Sequence, residues 1–199
     1  MRLHHQQNER PKKVIAIASG GGHWLELLRI VPSFEGCDVT YVTVDSKYKP
    51  DVKGSRFLTV GDATRWNKLG AVRTALQVLV LLIRVRPDVV VSTGALPGYF
   101  AVRLGKLLGA RTVWLDSFAN AEELSLAGKL AGKCADLWLT QWPELAHVRG
   151  LQFKGAVFDF DGPLSIAESN RIDPAETSAV PKLANVVAEK SHVAMDTAS

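Results

Sequence analysis

The chain has 199 residues, 47% of them hydrophobic, a formal net charge of +4 and two cysteines. That length fits one domain with room for a tail, and the apolar share suffices for a buried core. Nucleic-acid binding is excluded by the lack of a Lys/Arg cluster with interleaved aromatics, and a membrane span by the shortness of the longest uninterrupted apolar run, 78–83.

Residues 1–12 read as a polar, basic leader, 13–158 as the folded domain, and 159–199, rich in Ala, Ser, Glu and Asn, as a tail that is partly helical or disordered. Helical patterning in the tail is strongest at 182–193. Cys37 and Cys134 lack metal-ligand spacing and read as reduced, buried thiols; no metal and no cofactor is expected. The mild positive charge suits anionic partners such as a nucleotide sugar or an anionic membrane surface.

The apolar stretch 14–18 reads as a buried strand and runs directly into Ser19-Gly20-Gly21-Gly22-His23-Trp24. Glycines at a strand-to-helix turn let the backbone approach a ligand closely. The N-terminus of the following helix, 24–31, offers unpaired N–H groups and a positive dipole end to an anion, typically a phosphate. Ser19, Gly20, Gly21 and Gly22 are therefore candidate phosphate-binding positions. His23 is a candidate general base or phosphate contact; a tight turn with a packing histidine is the plain alternative. A dinucleotide fingerprint would need a third glycine where Leu25 stands. Asp45, after strand 39–44, would be its ribose-binding acid and keeps that alternative open.

Strand 57–60 precedes helix 69–85, which is apolar all round in its second half with Arg73, Arg84 and Arg86 at its flanks. Such a helix reads as core; a membrane-surface patch with basic flanks and a partner interface are the alternatives. After strand 89–92, Thr93-Gly94-Ala95-Leu96-Pro97-Gly98-Tyr99 makes a second glycine-rich turn, opening helix 98–108, with Pro97 suited to its first turn. Thr93, Gly94, Gly98 and Tyr99 join the candidate site, because two such turns on one rim suit an anionic or sugar-bearing ligand between them. Strand 112–115 leads to Asp116-Ser117-Phe118-Ala119-Asn120, where Asp116 and Ser117 are either helix caps or ligand contacts. Helix 122–134 and strand 137–141, ending at Trp142-Pro143, follow. Further on, Asp159-Phe160-Asp161-Gly162 is like the Asp-x-Asp-Gly of haloacid-dehalogenase-type phosphotransferases, but fewer than forty residues follow it, too few for that fold.

Strands alternating with helices at this spacing predict an α/β fold: a Rossmann-like parallel sheet with helices on both faces. Ligands of such sheets bind beyond the carboxyl ends of the strands, at the topological switch point. That rule gathers the candidate residues onto one rim.

Together these segments resemble the asparagine-linked glycosylation protein fourteen type of oligosaccharide-biosynthesis subunit and its bacterial exopolysaccharide relatives of the PssD/CpsF kind. Three stretches carry the likeness: Ser19-Gly20-Gly21-Gly22-His23; Ser92-Thr93-Gly94 with Gly98-Tyr99; and Asp116-Ser117-Phe118 with the runs 124–130 and 135–145. The first two are shared with the N-terminal half of MurG-like glycosyltransferases. The resemblance covers about 13–158 and implies a single GT-B N-terminal-type half, the acceptor side of a two-component glycosyltransferase.

By that resemblance a separate donor-binding subunit holds a UDP-sugar. The acceptor is a polyprenyl-diphosphate-linked sugar at the cytoplasmic membrane surface, where this chain would sit as a peripheral protein. The first glycine loop would face the acceptor diphosphate, and His23 would deprotonate the acceptor hydroxyl. The chain departs from the family in two places. Eukaryotic relatives begin with a membrane-anchoring helix where this chain has a hydrophilic leader. The family's Glu before Ser-Phe is Asp116 here, followed by the acidic run 119–123. By the same resemblance, 182–193 would help hold the catalytic partner. A stand-alone nucleotide- or dinucleotide-binding enzyme, and a non-catalytic scaffold that recruits its partner through 69–85, are the other functions the residues allow.

Overall fold

The computed structural model describes residues 10–62 and 67–158. The expectations for the first nine residues, for the Asp159–Asp161 motif and for the tail with its 182–193 segment lie outside them. The elements run β1 (Lys13–Ile17), α1 (Gly22–Arg29), β2 (Asp38–Thr43), β3 (Arg56–Thr59), α2 (Lys68–Val85), β4 (Val89–Ser92), α3 (Ala95–Leu107), β5 (Arg111–Leu115), α4 (Leu126–Ala131), β6 (Leu137–Thr140) and β7 (Leu151–Phe153). Short 3-10 turns occupy Val31–Phe34, Ser46–Val52 and Pro143–His147.

The strands are dominated by Val, Ile, Leu and Thr because both faces of a parallel sheet are covered. All seven pair in parallel, in the order β3-β2-β1-β4-β5-β6-β7. Alternate residues of β1 feed opposite cores. Val14, Ala16 and Ala18 pack with Trp24, Leu27 and Ile30 of the α1 side. Ile15 and Ile17 pack with Val78, Leu82, Ala101 and Val102 beneath α2 and α3. The chain turns from β1 toward β2 on one side and later from β4 toward β5 on the other, so β1 and β4 lie side by side at the switch point. The rim above that pair holds both glycine-rich turns.

The opposite rim is tied by carboxylates. Asp88 accepts from the Lys13 N–H at 2.8 Å and from Arg10, and Asp136 from the Thr112 N–H at 2.9 Å and from Lys106. Burial pushes the Asp136 carboxyl up, but the hydrogen bonds from Lys106 and Thr112 outweigh it and hold it below the usual carboxylate range.

Several expectations change. Strand β7 was not foreseen; three residues are too few to show a pattern, and pairing with β6 sets them. Helix α1 stops at Arg29, and a 3-10 turn with Pro32 near its start follows over Val31–Phe34. Helix α3 begins at Ala95, three residues earlier than expected. Helix α4 is confined to Leu126–Ala131, capped by the Ser125 hydroxyl, which accepts from the Gly128 N–H. Helix α2 is a core helix on one side only. Thr74, Val78, Leu81 and Leu82 are buried, whereas Leu69, Val72, Leu76, Val80 and Ile83 are exposed, Leu69 by 85% and Leu76 by 58%.

Candidate functional site

The first glycine loop leaves β1 with Ala18 still bonded to β2. Gly21 then takes φ 66°, a left-handed geometry that strains any side chain. It forms the N-cap of α1 and makes no side-chain cap hydrogen bond. A Cβ at Gly21 or Gly22 would meet nothing within 4 Å, so the space above this helix N-terminus is open. Ser19 is half-buried, and its hydroxyl reaches only the Gly20 carbonyl, at 3.4 Å. Gly20 answers to Tyr48: the phenol hydroxyl accepts from the Gly21 N–H at 2.8 Å, and a Cβ on Gly20 would come within 2.9 Å of it.

The second loop repeats the device. Gly94, φ 147°, is the N-cap of α3, again with no side-chain cap. The next residue, Ala95, sits at φ 64°, a left-handed conformation that costs a non-glycine residue roughly 1–2 kcal/mol. Elsewhere the helices close their own ends: Asn67 caps α2 through the Gly70 N–H, and Ser125 caps α4. The two glycine-capped N-termini flank the switch point, and their open N–H groups and dipole ends favour an anion there.

His23 joins the loops. Its ring lies against Gly94, where a Cβ would stand 2.5 Å from Nδ1 and Cε1. The Thr93 hydroxyl donates to the His23 carbonyl at 2.7 Å. Nδ1 is buried, so the 29% of the side chain that is exposed belongs to its other atoms. One turn along α1, Glu26 is 2% exposed, with Oε2 3.5 Å from His23 Nδ1. Its Oε1 accepts from the Ser117 hydroxyl and the Phe118 N–H, each at 2.8 Å.

The other candidates face inward. Gly98 is where α3 presses onto β4; a Cβ there would lie 2.0 Å from Ser92 Oγ. Tyr99 packs beside Phe100 against the α2–α3 core. Asp116, 2% exposed, accepts from Trp114 Nε1 at 3.0 Å, Asn120 Nδ2 at 3.3 Å, the Ser125 N–H at 3.0 Å and the Ser125 hydroxyl at 2.6 Å. Its carbonyl accepts from Gln141 Nε2. Asp116 is not itself a helix cap; it holds Ser125, which caps α4. Ser117 spends its hydroxyl on Glu26. Asp45 holds a turn: it accepts from the Lys47 N–H at 2.9 Å and pairs with Lys47 Nζ at 3.1 Å, and those hydrogen bonds keep its carboxyl below the ordinary range. Glu26 and Tyr48 are the rim residues missing from the sequence reading. A His-x-x-Glu spacing at the head of a helix was the available signal for the first; nothing local marked the second.

The arrangement thus has a buried carboxylate behind an imidazole, beside two open helix N-termini. It suits proton removal from a hydroxyl whose neighbouring group is anionic.

The same fold recurs in MurG from Acinetobacter baumannii, with a TM-score of 0.60 at 13% identity over 72% of this chain and 45% of that one. It recurs in the UDP-GlcNAc 2-epimerase of Neisseria meningitidis bound to UDP-GlcNAc, with a TM-score of 0.56 at 8% identity over 73% and 47%. This chain therefore spans about half the length of these solved neighbours. Curated relatives carry the name UDP-N-acetylglucosamine transferase subunit ALG14. That of Eremothecium gossypii is 29% identical over 69% of this chain and 75% of its own length. That of Schizosaccharomyces pombe is 40% identical over 30% and 31%, and that of Mus musculus 25% over 71% and 81%. A family profile described as "Oligosaccharide biosynthesis protein Alg14 like" matches residues 52–157. More than half of the chain falls in that match, and the rim it includes is continuous with the Gly-Gly-His turn: the chain belongs to the Alg14-like family of oligosaccharide biosynthesis proteins.

Proposed function

We propose that this chain is the acceptor-side subunit of a two-component, UDP-sugar-dependent glycosyltransferase. A separate donor-binding subunit supplies the nucleotide sugar, and the acceptor is a polyprenyl-diphosphate-linked sugar at the cytoplasmic face of a membrane. The observation that carries the reading is His23 resting on Gly94 between the two helix ends that no side chain caps. The relatives named as transferase subunits, and the half-length match to MurG, support the division of labour.

In this reading Gly21, Gly22 and the start of α3 face the acceptor diphosphate, with Ser19, Gly20, Thr93 and Gly94 shaping the two loops. His23 takes the proton of the acceptor hydroxyl as its oxygen attacks the anomeric carbon of the donor sugar. The bond from that carbon to the diphosphate breaks, and UDP leaves with the electron pair on the partner's side. No covalent intermediate is needed. Proximity and a placed base supply the acceleration. The test is sugar transfer from UDP-N-acetylglucosamine to a short-chain polyprenyl-diphosphate sugar, by this chain alone and with a donor-binding subunit. Transfer is expected from the pair; full transfer by this chain alone overturns the two-component reading.

The α2 stripe supports the membrane placement. Leu69, Val72, Leu76 and Val80 line, with Leu58 of the edge strand, a groove of about 600 Å³ whose sides carry Arg73 and Arg84. No acidic residue interrupts α2. An exposed apolar face whose charged lining residues, among the described residues, are Arg73 and Arg84 matches an anionic lipid surface. Vesicles of phosphatidylcholine with phosphatidylglycerol are expected to co-float the chain. Leu76→Glu with Val80→Glu should reduce that at least tenfold without altering thermal unfolding, because both side chains are exposed, by 58% and 45%. Undiminished flotation of the double variant would remove α2 as the docking face.

A further inference from the structure

His23 Nδ1 and Glu26 Oε2 are both buried, and neither has a hydrogen-bond partner. They face each other at 3.5 Å, a distance a small closing motion on ligand binding would convert to a hydrogen bond. The other oxygen of Glu26 cannot turn away, because the Ser117 hydroxyl and the Phe118 N–H both donate to it. The imidazole lies against Gly94 on one side. Burying an acid on the second turn of a helix, fastened to a loop 91 residues away, is costly unless the free oxygen has work to do.

We propose that Glu26 is the positioning residue of this site: through Oε2 it fixes His23 as the Nδ1–H tautomer, and through Oε1 it couples that imidazole to the loop after β5. The inference rests on the reading in which His23 is the base. A carboxylate oxygen only accepts, so the ring proton must sit on Nδ1 and the lone pair on Nε2. When Nε2 takes the acceptor hydroxyl's proton, the imidazolium that forms keeps its Nδ1–H on Glu26. The proton leaves to solvent after UDP departs.

Glu26→Gln discriminates this from a structural role. Its amide oxygen is held by the two donors from 117 and 118, so its NH₂ faces His23 Nδ1. A donor there forces the ring to accept at Nδ1 and carry its proton on Nε2, which leaves no base. The full chain, labelled with ¹⁵N-histidine and assembled with its donor-binding partner, reads the tautomer directly. His147 is the internal standard and the check of folding: its Nδ1 lies 2.6 Å from the Glu144 carbonyl, an obligate acceptor. The expected result is Nδ1–H for His23 in the native chain and Nε2–H in Glu26→Gln. The variant's kcat is expected to fall by about 10²–10⁴-fold with the acceptor KM little changed. If the His147 standard is lost in the Gln variant, Glu26→Asp takes its place. It withdraws the acid from the ring and should lower both the Nδ1–H fraction and kcat.

An unchanged tautomer in a folded variant overturns the inference. A switched tautomer with an unchanged kcat leaves Glu26 as the positioning group and instead removes His23 as the base.

Discussion

Under the proposed function, replacing His23 with alanine is expected to lower the kcat of the transferase assembled with its donor-binding subunit by about 10²–10⁴-fold, the range a placed general base contributes. The fold should survive the change. The side chain is 29% exposed, and the bond that stitches the two glycine loops runs from the Thr93 hydroxyl to the His23 main-chain carbonyl, which alanine keeps. What alanine removes is the ring between α1 and Gly94. Matched measurements of kcat, acceptor KM and thermal unfolding check this. A variant that unfolds as the native chain does and turns over at the native rate would retire the base assignment. A raised KM at constant kcat would turn His23 into a binding contact.

Asp116→Ala should act in the opposite way, with a large loss of stability. Its carboxylate accepts four hydrogen bonds in a site only 2% exposed. Alanine would strand the Trp114 indole N–H and the Ser125 N–H without acceptors. It would also release the turn that delivers Ser125 to the N-terminus of α4. Removing the acceptor from a buried charged network costs about 3–5 kcal/mol, a large part of the 5–15 kcal/mol that typically separates folded from unfolded chains. The melting temperature should fall by roughly 6–20 °C for a domain of this size. Asn offers little rescue, because its NH₂ would meet donors. Thermal unfolding of both variants is the measurement. A native melting temperature with lost activity would make Asp116 a ligand contact after all.

Much of the architecture could be read from the chain because buried parallel strands are written in runs of Val and Ile. β1, β2 and β4 carry such runs, and the observed bounds shift from the expected ones by only a residue. The Gly-Gly-His turn was equally legible, since a left-handed φ and a close approach both call for glycine. What the sequence hid was partnership across long separations. Glu26 looks like an ordinary acid on a surface helix; only the fold brings Ser117 and Phe118 onto it. Tyr48 lies 27 residues beyond Gly21, whose N–H donates to its hydroxyl, on a 3-10 turn with no periodicity. Helix α2 misled in another way: its apolar residues fill both a core face and an outward stripe, and composition alone does not separate the two.

The contrast between the helix ends has a thermodynamic consequence. A side-chain cap is worth about 1 kcal/mol to the helix that has it, and α2 and α4 take that gain from Asn67 and Ser125. Helices α1 and α3 forgo it, and α3 accepts a left-handed alanine besides. The fold is thus least self-sufficient at the two points that border His23. An anion seated there would restore what the missing caps leave out, so the native chain should be measurably more resistant to unfolding with a diphosphate-bearing ligand bound there than without it.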